Sequence, residues 1–102
     1  MGFNPNNDVF FIDANSIQKS GDSYTYWMKS NYGKRASNGA LSSRSQYTIN
    51  CRTREAINRY LIMYDDVDGN GKVIISGDPA GGWYPIPPDT IIWTYYSYIC
   101  NK

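Results

Sequence analysis

The segment from Asp65 to Asp78 reads DDVDGNGKVIISGD and offers oxygen ligands at a spacing that metal sites use. Counted from Asp66, oxygen-bearing side chains occupy the first, third and fifth positions (Asp66, Asp68 and Asn70), and Gly71 occupies the sixth. This is the opening of a calcium-binding EF-hand loop, in which a glycine at the sixth position allows a sharp turn. The chemistry would be coordination of Ca²⁺ by carboxylate and amide oxygens.

The rest of the EF-hand pattern is missing from this segment. An EF-hand needs a bidentate Glu at the twelfth position and a helix on each side. The twelfth position is Gly77, and the flanking residues Tyr60–Tyr64 and Val73–Ile75 are of types that favour strands. Glycine and asparagine also accept the positive φ angles of a tight turn. We therefore predict a β-hairpin tip without a metal, and a weak calcium site on Asp66, Asp68 and Asn70 is the alternative.

The residue types needed for common catalytic sites are scarce. The chain has no His, which removes the usual base for a Ser or Cys nucleophile and a frequent zinc ligand. The adjacent carboxylates Asp65 and Asp66 fall inside the predicted turn, where we expect them to be solvated. No glycine-rich phosphate loop lies between a strand and a helix. The sequence therefore predicts a protein that is not an enzyme and needs no cofactor.

Length and charge narrow the class further. The chain has 102 residues and a net charge of +1. That length suits one domain, which we place at residues 9–102 after a disordered segment at residues 1–8. The balanced charge argues against nucleic acid as a partner, and no apolar run approaches the length of a membrane span. We expect a monomer or weak homodimer.

Composition favours a β-rich fold. Aromatic residues make up 16% of the chain, with ten Tyr and three Trp. Tyrosine suits half-buried sheet positions and also amphipathic binding surfaces. We expect most tyrosines in the sheet, with Trp27 and Trp83 in the core unless the fold exposes them.

Periodicity predicts a series of strands. A first strand is expected at Val9–Ile12, ended by a turn at residues 13–16. Residues 23–32 alternate, as do residues 41–51, so each segment has one face toward the core. Residues 56–65 fit both a helical stripe and a strand, and their β-branched and aromatic content favours the strand. A further strand is expected at Lys72–Ser76.

The C-terminal segment fits a helix better than a last strand. Asp89 or Thr90 can serve as an N-cap, and Ile92, Tyr96 and Ile99 follow at helical spacing. The rival is a strand, which the residue types of Ile91–Tyr96 favour by propensity.

The two cysteines, Cys51 and Cys100, leave two interpretations open. In a small exported domain they would form one disulfide, which closes a loop of about 50 residues and adds roughly 4 kcal/mol on the chain-entropy model. In a cytosolic protein they would be two buried thiols.

The order of several short motifs resembles the surface-adhesin protein E family. The motifs are spread over nearly the whole chain and are not specific singly. They are FFIDANSI with Asp13, YWMKSNY with Trp27, SQYTINC ending at Cys51, Tyr64 before a glycine-containing turn, WYPIPPDT, and the final Cys100.

The resemblance implies an α+β fold: an antiparallel sheet of about six strands with a C-terminal helix tied to it by a Cys51–Cys100 disulfide. It also implies export to the periplasm, outer membrane or cell surface, with a signal peptide that the given sequence does not include. The best-known member of the family binds host extracellular-matrix and plasma proteins, and many members have no known role.

We therefore expect an exported binding domain of the bacterial cell envelope, with a protein partner. Exposed cations are the candidate contacts: Lys34 and Arg35 in the polar loop at residues 33–40, and Arg44 on the outward face of its strand. The alternative is an accessory envelope lipoprotein with a structural role and an unknown ligand.

Overall fold

The computed structural model describes residues 2–3, 8–79 and 81–101. The chain forms an antiparallel sheet and one C-terminal helix, as the resemblance implied. The strands are β1 (Gly2–Phe3), β2 (Val9–Ser20), β3 (Ser23–Asn31), β4 (Ser42–Asn50), β5 (Glu55–Tyr64), β6 (Val73–Gly77) and β7 (Tyr84–Pro85), and the helix is α1 (Ile91–Cys100).

Strands β1 to β6 lie side by side in the order in which they follow along the chain. Consecutive strands that pair antiparallel need only short connections, so this meander is a simple topology. Strand β7 pairs with β5 at the opposite end of β5 from β6. The ambiguous segment at residues 56–65 is therefore a strand, because it has hydrogen-bonded neighbours on both sides.

The first predicted turn is wrong. Val9–Ile12 does not end at residues 13–16, since β2 continues to Ser20 through an irregularity between Asp13 and Gln18. The Asp13 side chain accepts from the backbone N–H of Asn15 at 3.1 Å, and the Ser16 hydroxyl donates to the Asp13 carbonyl at 2.6 Å. These bonds are typical of a turn, but here they stabilise a bulge while both halves of the strand pair with β3.

One face of the sheet packs on α1. Alternation along β3 buries Tyr26 and Met28 on this face, and β4 adds Ile49. Facing them from the helix, the buried residues are Ile92, Tyr95 and Ile99. The sequence had placed Tyr96 in this stripe. The helix buries Tyr95 more deeply, because its ring fits edge-on against Tyr26 with centroids 5.8 Å apart.

The helix begins where the sequence allowed. Thr90 is the N-cap, and its hydroxyl oxygen accepts from the backbone N–H of Trp93 at 3.1 Å. This satisfies one of the free N–H groups of the first turn. The prediction of a C-terminal helix, rather than a final strand, is confirmed.

The hairpin interpretation of the opening segment is also confirmed. Residues 65–72 connect β5 to β6, which pair antiparallel, and Val67–Gly69 form one 3₁₀ turn. Asp68, Gly69 and Gly71 all have positive φ angles. The expected disordered segment at residues 1–8 lies largely outside the described residues. Within it, the backbone of Gly2–Phe3 pairs with β2.

Candidate functional site

The sheet face opposite α1 is not covered by a helix within the described part of the chain. We call it the open face. In antiparallel sheets, side chains at directly paired positions share a face. Trp27 pairs with Gln46, and Lys29 pairs with both Phe11 and Arg44, so these five side chains lie together on the open face. Tyr60 of β5 joins them opposite Gln46.

A β-bulge adds a second arginine to this face. Gln46 pairs with Tyr60 and the next residue, Tyr47, pairs with Asn58, so Arg59 is the extra residue of β5. Bulges redirect side chains in this way. The Arg59 Nε donates to the Thr48 hydroxyl at 3.3 Å, and its guanidinium lies 5.6 Å from the centroid of Trp83.

Cations lie over aromatic rings along the open face. The Lys29 ammonium is 5.1 Å from the Phe11 ring centroid, and the Arg44 guanidinium is 5.5 Å from that of Trp27. The rings of Trp27 and Tyr60 are 6.2 Å apart. Each such cation–π pair contributes about 0.5–1 kcal/mol at an exposed site. The pairs hold long side chains in fixed positions, which lowers the entropy lost on binding a partner.

The hairpin between β5 and β6 closes one end of the open face. The Asp68 carboxylate accepts from the Asn31 side-chain amide at 2.7 Å and lies 3.3 Å from the Lys29 ammonium. The Asn31 amide hydrogen bond, with the neighbouring Lys29 charge, holds the pKa of the Asp68 carboxyl below its usual range. Ser42 fixes the same hairpin, since its hydroxyl oxygen accepts from Gly69 N–H at 3.0 Å.

Only some of the cations on the open face form ion pairs within the described part of the chain. Lys29 is paired with Asp68, but neither Arg44 nor Arg59 forms an ion pair with a described residue. Two clefts lie beside these arginines. The first has a volume of about 370 Å³ and includes Trp27 and Arg44 in its lining, and the second has about 450 Å³ and includes Trp83 and Arg59. The face can therefore accept anionic or hydrogen-bonding groups from a partner.

The predicted cations do not form one site. Arg44 is exposed on the open face, whereas Lys34 and Arg35 line a different cleft with Tyr32 and Met63. Arg35 also donates from Nη1 to the Gly39 carbonyl at 2.8 Å, so it helps to shape its own loop.

The two tryptophans that the sequence placed in the core differ in exposure. Trp83 has 43% of its surface exposed, and Trp27 is half-buried on the open face. Both therefore lie in the candidate site rather than beneath it.

Two of the three candidate calcium ligands, Asp66 and Asp68, make hydrogen bonds within or beside the hairpin. Asp66 Oδ1 accepts from the N–H of Val67 at 2.8 Å, and Asp68 points to β3. Among the described residues, no group of three or more His, Cys, Asp or Glu side chains is placed to hold a metal ion. The carboxylates instead stabilise the turn.

Cys51 and Cys100 form a disulfide, which joins the residue after β4 to the end of α1. The bond lies on the helix side of the sheet and leaves the open face free.

Sequence reasoning missed Lys29, Phe11, Tyr60 and Arg59 as site residues. The alternation of residues 23–32 did place Trp27 and Lys29 on one face, and this pattern was the sequence signal for Lys29. Arg59 carried no signal, because its position depends on a bulge.

Comparison with known proteins supports a family assignment and a fold. The family model described as Surface-adhesin protein E matches residues 1–101. Two crystal structures of Haemophilus influenzae protein E have the same fold, each with a TM-score of 0.69. The first is 20% identical and covers 90% of this chain and 80% of that one. The second is 19% identical, with coverages of 91% and 79%. No curated protein matches the chain.

Proposed function

This chain belongs to the surface-adhesin protein E family, and from that premise we propose that it is an exported cell-surface binding domain that contacts host extracellular-matrix proteins through the open face. The family assignment supports the adhesin role. The location of the contact surface is inferred from the cation–aromatic pairs that the sheet presents on the side away from α1.

The open face has the residue types of a protein-binding hot spot. Such spots are enriched in Trp, Tyr and Arg, which combine apolar area with hydrogen-bonding groups. Trp27, Arg44 and Tyr60 form one cluster of these types, and Trp83 with Arg59 forms another. Tyr60 is 37% exposed, so its ring is available to a partner.

Rigidity of the face supports the same function. The sheet is tied to its helix by the Cys51–Cys100 bond, and the hairpin at one end of the face is held by Asn31 and Ser42. A surface that is ordered before binding loses less conformational entropy in the complex.

None of the helices in the described part of the chain has the length and apolar character of a membrane span.

The test is a binding measurement on immobilised laminin and vitronectin. We expect the wild type to bind at micromolar protein, and the Arg44→Ala/Trp83→Ala double variant to bind at least tenfold more weakly, since truncation of a hot-spot residue costs about 2 kcal/mol or more. Lys34→Ala/Arg35→Ala is the comparison at the rival site.

The results distinguish the two candidate contact sites. Loss of binding in the Lys34/Arg35 variant, with the open-face variant unchanged, would move the contact to the loop at residues 33–40. Absence of binding by the folded wild type would remove the matrix-binding role and favour an accessory role in the bacterial envelope, which crosslinking in the native cell would then examine.

A further inference from the structure

We propose that the open face binds an acidic oligosaccharide, a sugar chain that carries carboxylate or sulfate groups, across the two clefts beside Arg44 and Arg59. The proposal rests on the proposed function for the use of this face as the contact surface. It adds the chemical class of the ligand, which the family assignment does not give.

Two arginines on the open face carry positive charge that no ion pair balances within the described part of the chain. Arg44 and Arg59 form no ion pair with a described residue, and each guanidinium is instead held near a tryptophan ring. Guanidinium groups bind planar or tetrahedral oxyanions through two parallel hydrogen bonds. Lys29 is already neutralised by Asp68 at 3.3 Å. Asp13 and Asp68 line the cleft beside Arg44, whereas no described carboxylate lines the cleft beside Arg59. Negative charge from a ligand is therefore favoured at the two guanidiniums and most strongly at Arg59.

The two arginines are spaced along one strand of the open face. Arg44 is on β4, and Arg59 donates to Thr48, four residues farther along the same strand. At about 3.3 Å per residue, the backbones of Arg44 and Thr48 are about 13 Å apart. The two guanidiniums are therefore anchored at different positions along the strand, in two separate clefts. A linear chain with acidic groups at intervals can occupy both positions, and Gln46 lies on the same face between them.

The cleft at Trp83 has a mostly polar lining. Besides Arg59 and Trp83, its lining consists of hydroxyl and amide side chains: Ser20, Ser23, Thr25, Gln46 and Thr48. Among the described residues, Trp83 is the one large apolar side chain in this lining, so the part of a ligand that enters the cleft must surround one flat apolar contact with hydrogen-bonding groups. A sugar ring offers C–H groups to an aromatic face and hydroxyl groups to polar neighbours. Trp83, at 43% exposure, can provide that aromatic face.

The experiment is calorimetric titration of the intact, disulfide-bonded protein with a heparin-derived octasaccharide. We expect Arg44→Gln/Arg59→Gln to weaken binding by about 100-fold. Each substitution removes a charge-assisted contact that is worth about a factor of ten in affinity. Trp83→Ala should weaken binding without a change in charge. Lys34→Gln/Arg35→Gln removes the same two charges away from the open face and should leave affinity within about twofold.

Further arms define the ligand chemistry. An oligogalacturonate of similar length carries carboxylates but no sulfate. If it binds with the same dependence on the two arginines, sulfate is dispensable, and if it does not bind, sulfate is required. Both results keep the acidic-sugar assignment. Equal binding of neutral maltooctaose would overturn it. Absence of heparin binding would also overturn the assignment. So would an equal loss of affinity in the Lys34/Arg35 variant, because the two open-face arginines would then have no specific role.

The matrix-protein assay keeps this proposal separate from the proposed function. Laminin binding by a protein that binds no acidic sugar overturns the oligosaccharide site and leaves the adhesin function. Sugar binding without binding to laminin or vitronectin retains the oligosaccharide site and removes the protein partner.

Discussion

Cys51, the residue that follows β4, is bonded to Cys100, the last residue of α1, with their Cα atoms 5.7 Å apart. The two residues are separated by 49 positions, so the bond closes a loop that includes the second half of the sheet and the whole helix. It restricts the unfolded chain far more than the folded one.

Removal of this bond should therefore be costly. We expect Cys51→Ala/Cys100→Ala to lower the free energy of unfolding by about 4 kcal/mol, the loop-closure term for this length. Urea denaturation followed by far-UV circular dichroism measures the change. Wild type in excess dithiothreitol is the matched control and should unfold at nearly the same midpoint as the double variant. A loss below about 1 kcal/mol would mean that the bond is dispensable for stability.

Gly71 is the position where the hairpin between β5 and β6 most needs a glycine. Its φ is +80°, and a Cβ there would lie 2.1 Å from Asp65 Oδ1. That carboxylate oxygen accepts from the Lys72 N–H at 2.7 Å, so it is not free to move aside without losing a hydrogen bond. We expect Gly71→Ala to lower the free energy of unfolding by about 2–4 kcal/mol, from strain and steric overlap together.

Gly21 gives the matched control for this substitution. It has a similar φ of +60°, but nothing lies within 4 Å of an added Cβ. Gly21→Ala should therefore cost only the backbone term of about 1–2 kcal/mol. Equal losses for the two variants in thermal denaturation would show that the Asp65 contact is unimportant.

The pKa of Asp68 predicts a pH dependence of stability. The Asn31 hydrogen bond and the Lys29 charge lower the pKa in the folded state, so the folded protein favours the ionised carboxylate. Its contribution is present at neutral pH and is lost as the pH falls through that lowered pKa. We expect Asp68→Asn to be less stable than wild type at pH 7 and the difference to shrink in acid.

Thermal denaturation between pH 7 and pH 2 measures this effect. Lys29→Met removes the cation and should also flatten the dependence. A constant difference between wild type and Asp68→Asn across that range would contradict the assigned pKa direction.

Buried tyrosines predict a late alkaline transition. Burial raises the pKa of Tyr47 and of Tyr95 to about 12, and it raises that of Tyr26 still further. Because these pKa values are raised, the stability gained from neutral phenols is complete below about pH 10, the unperturbed tyrosine value, and is lost as pH approaches 12. Absorbance of tyrosinate during a pH titration should therefore show a late rise that coincides with unfolding.

The matched comparison is Tyr98→Phe against Tyr95→Phe. Tyr98 is 49% exposed and Tyr95 is 2% exposed on the same helix. The second variant should reduce the late rise, because it removes a buried phenol whose pKa is raised. A single transition near pH 10 for all ten tyrosines would show that the buried rings are accessible to hydroxide.

Much of the fold could be predicted from the sequence because it depends on local pattern. The alternation in residues 23–32 and 41–51 identified two central strands, and Thr90 with the spacing of Ile92 and Ile99 identified the helix. The error at residues 13–16 has a physical cause. The same side-chain hydrogen bonds stabilise a turn and a bulge, and only the pairing of β2 with β3 decides between them.

The candidate site could be predicted only in part, because it depends on contacts between distant residues. Arg44 and Trp27 were each noted from the sequence, but their proximity requires the register in which Lys29 pairs with Arg44. Arg59 and Trp83 are brought together by a bulge and by the path of the chain after β6. Neither feature leaves a periodic trace in a single sequence.

The most direct test of the open face as the binding surface uses the three tryptophan indole N–H signals in a ¹⁵N-labelled protein. Trp27 and Trp83 lie on or beside the open face, and Trp93 lies on α1, on the opposite side of the sheet. On titration with a laminin fragment or a heparin octasaccharide, we expect the Trp27 and Trp83 signals to shift while that of Trp93 stays in place. A shift of Trp93, or of the amides at residues 33–40, with Trp27 and Trp83 unmoved, would contradict it.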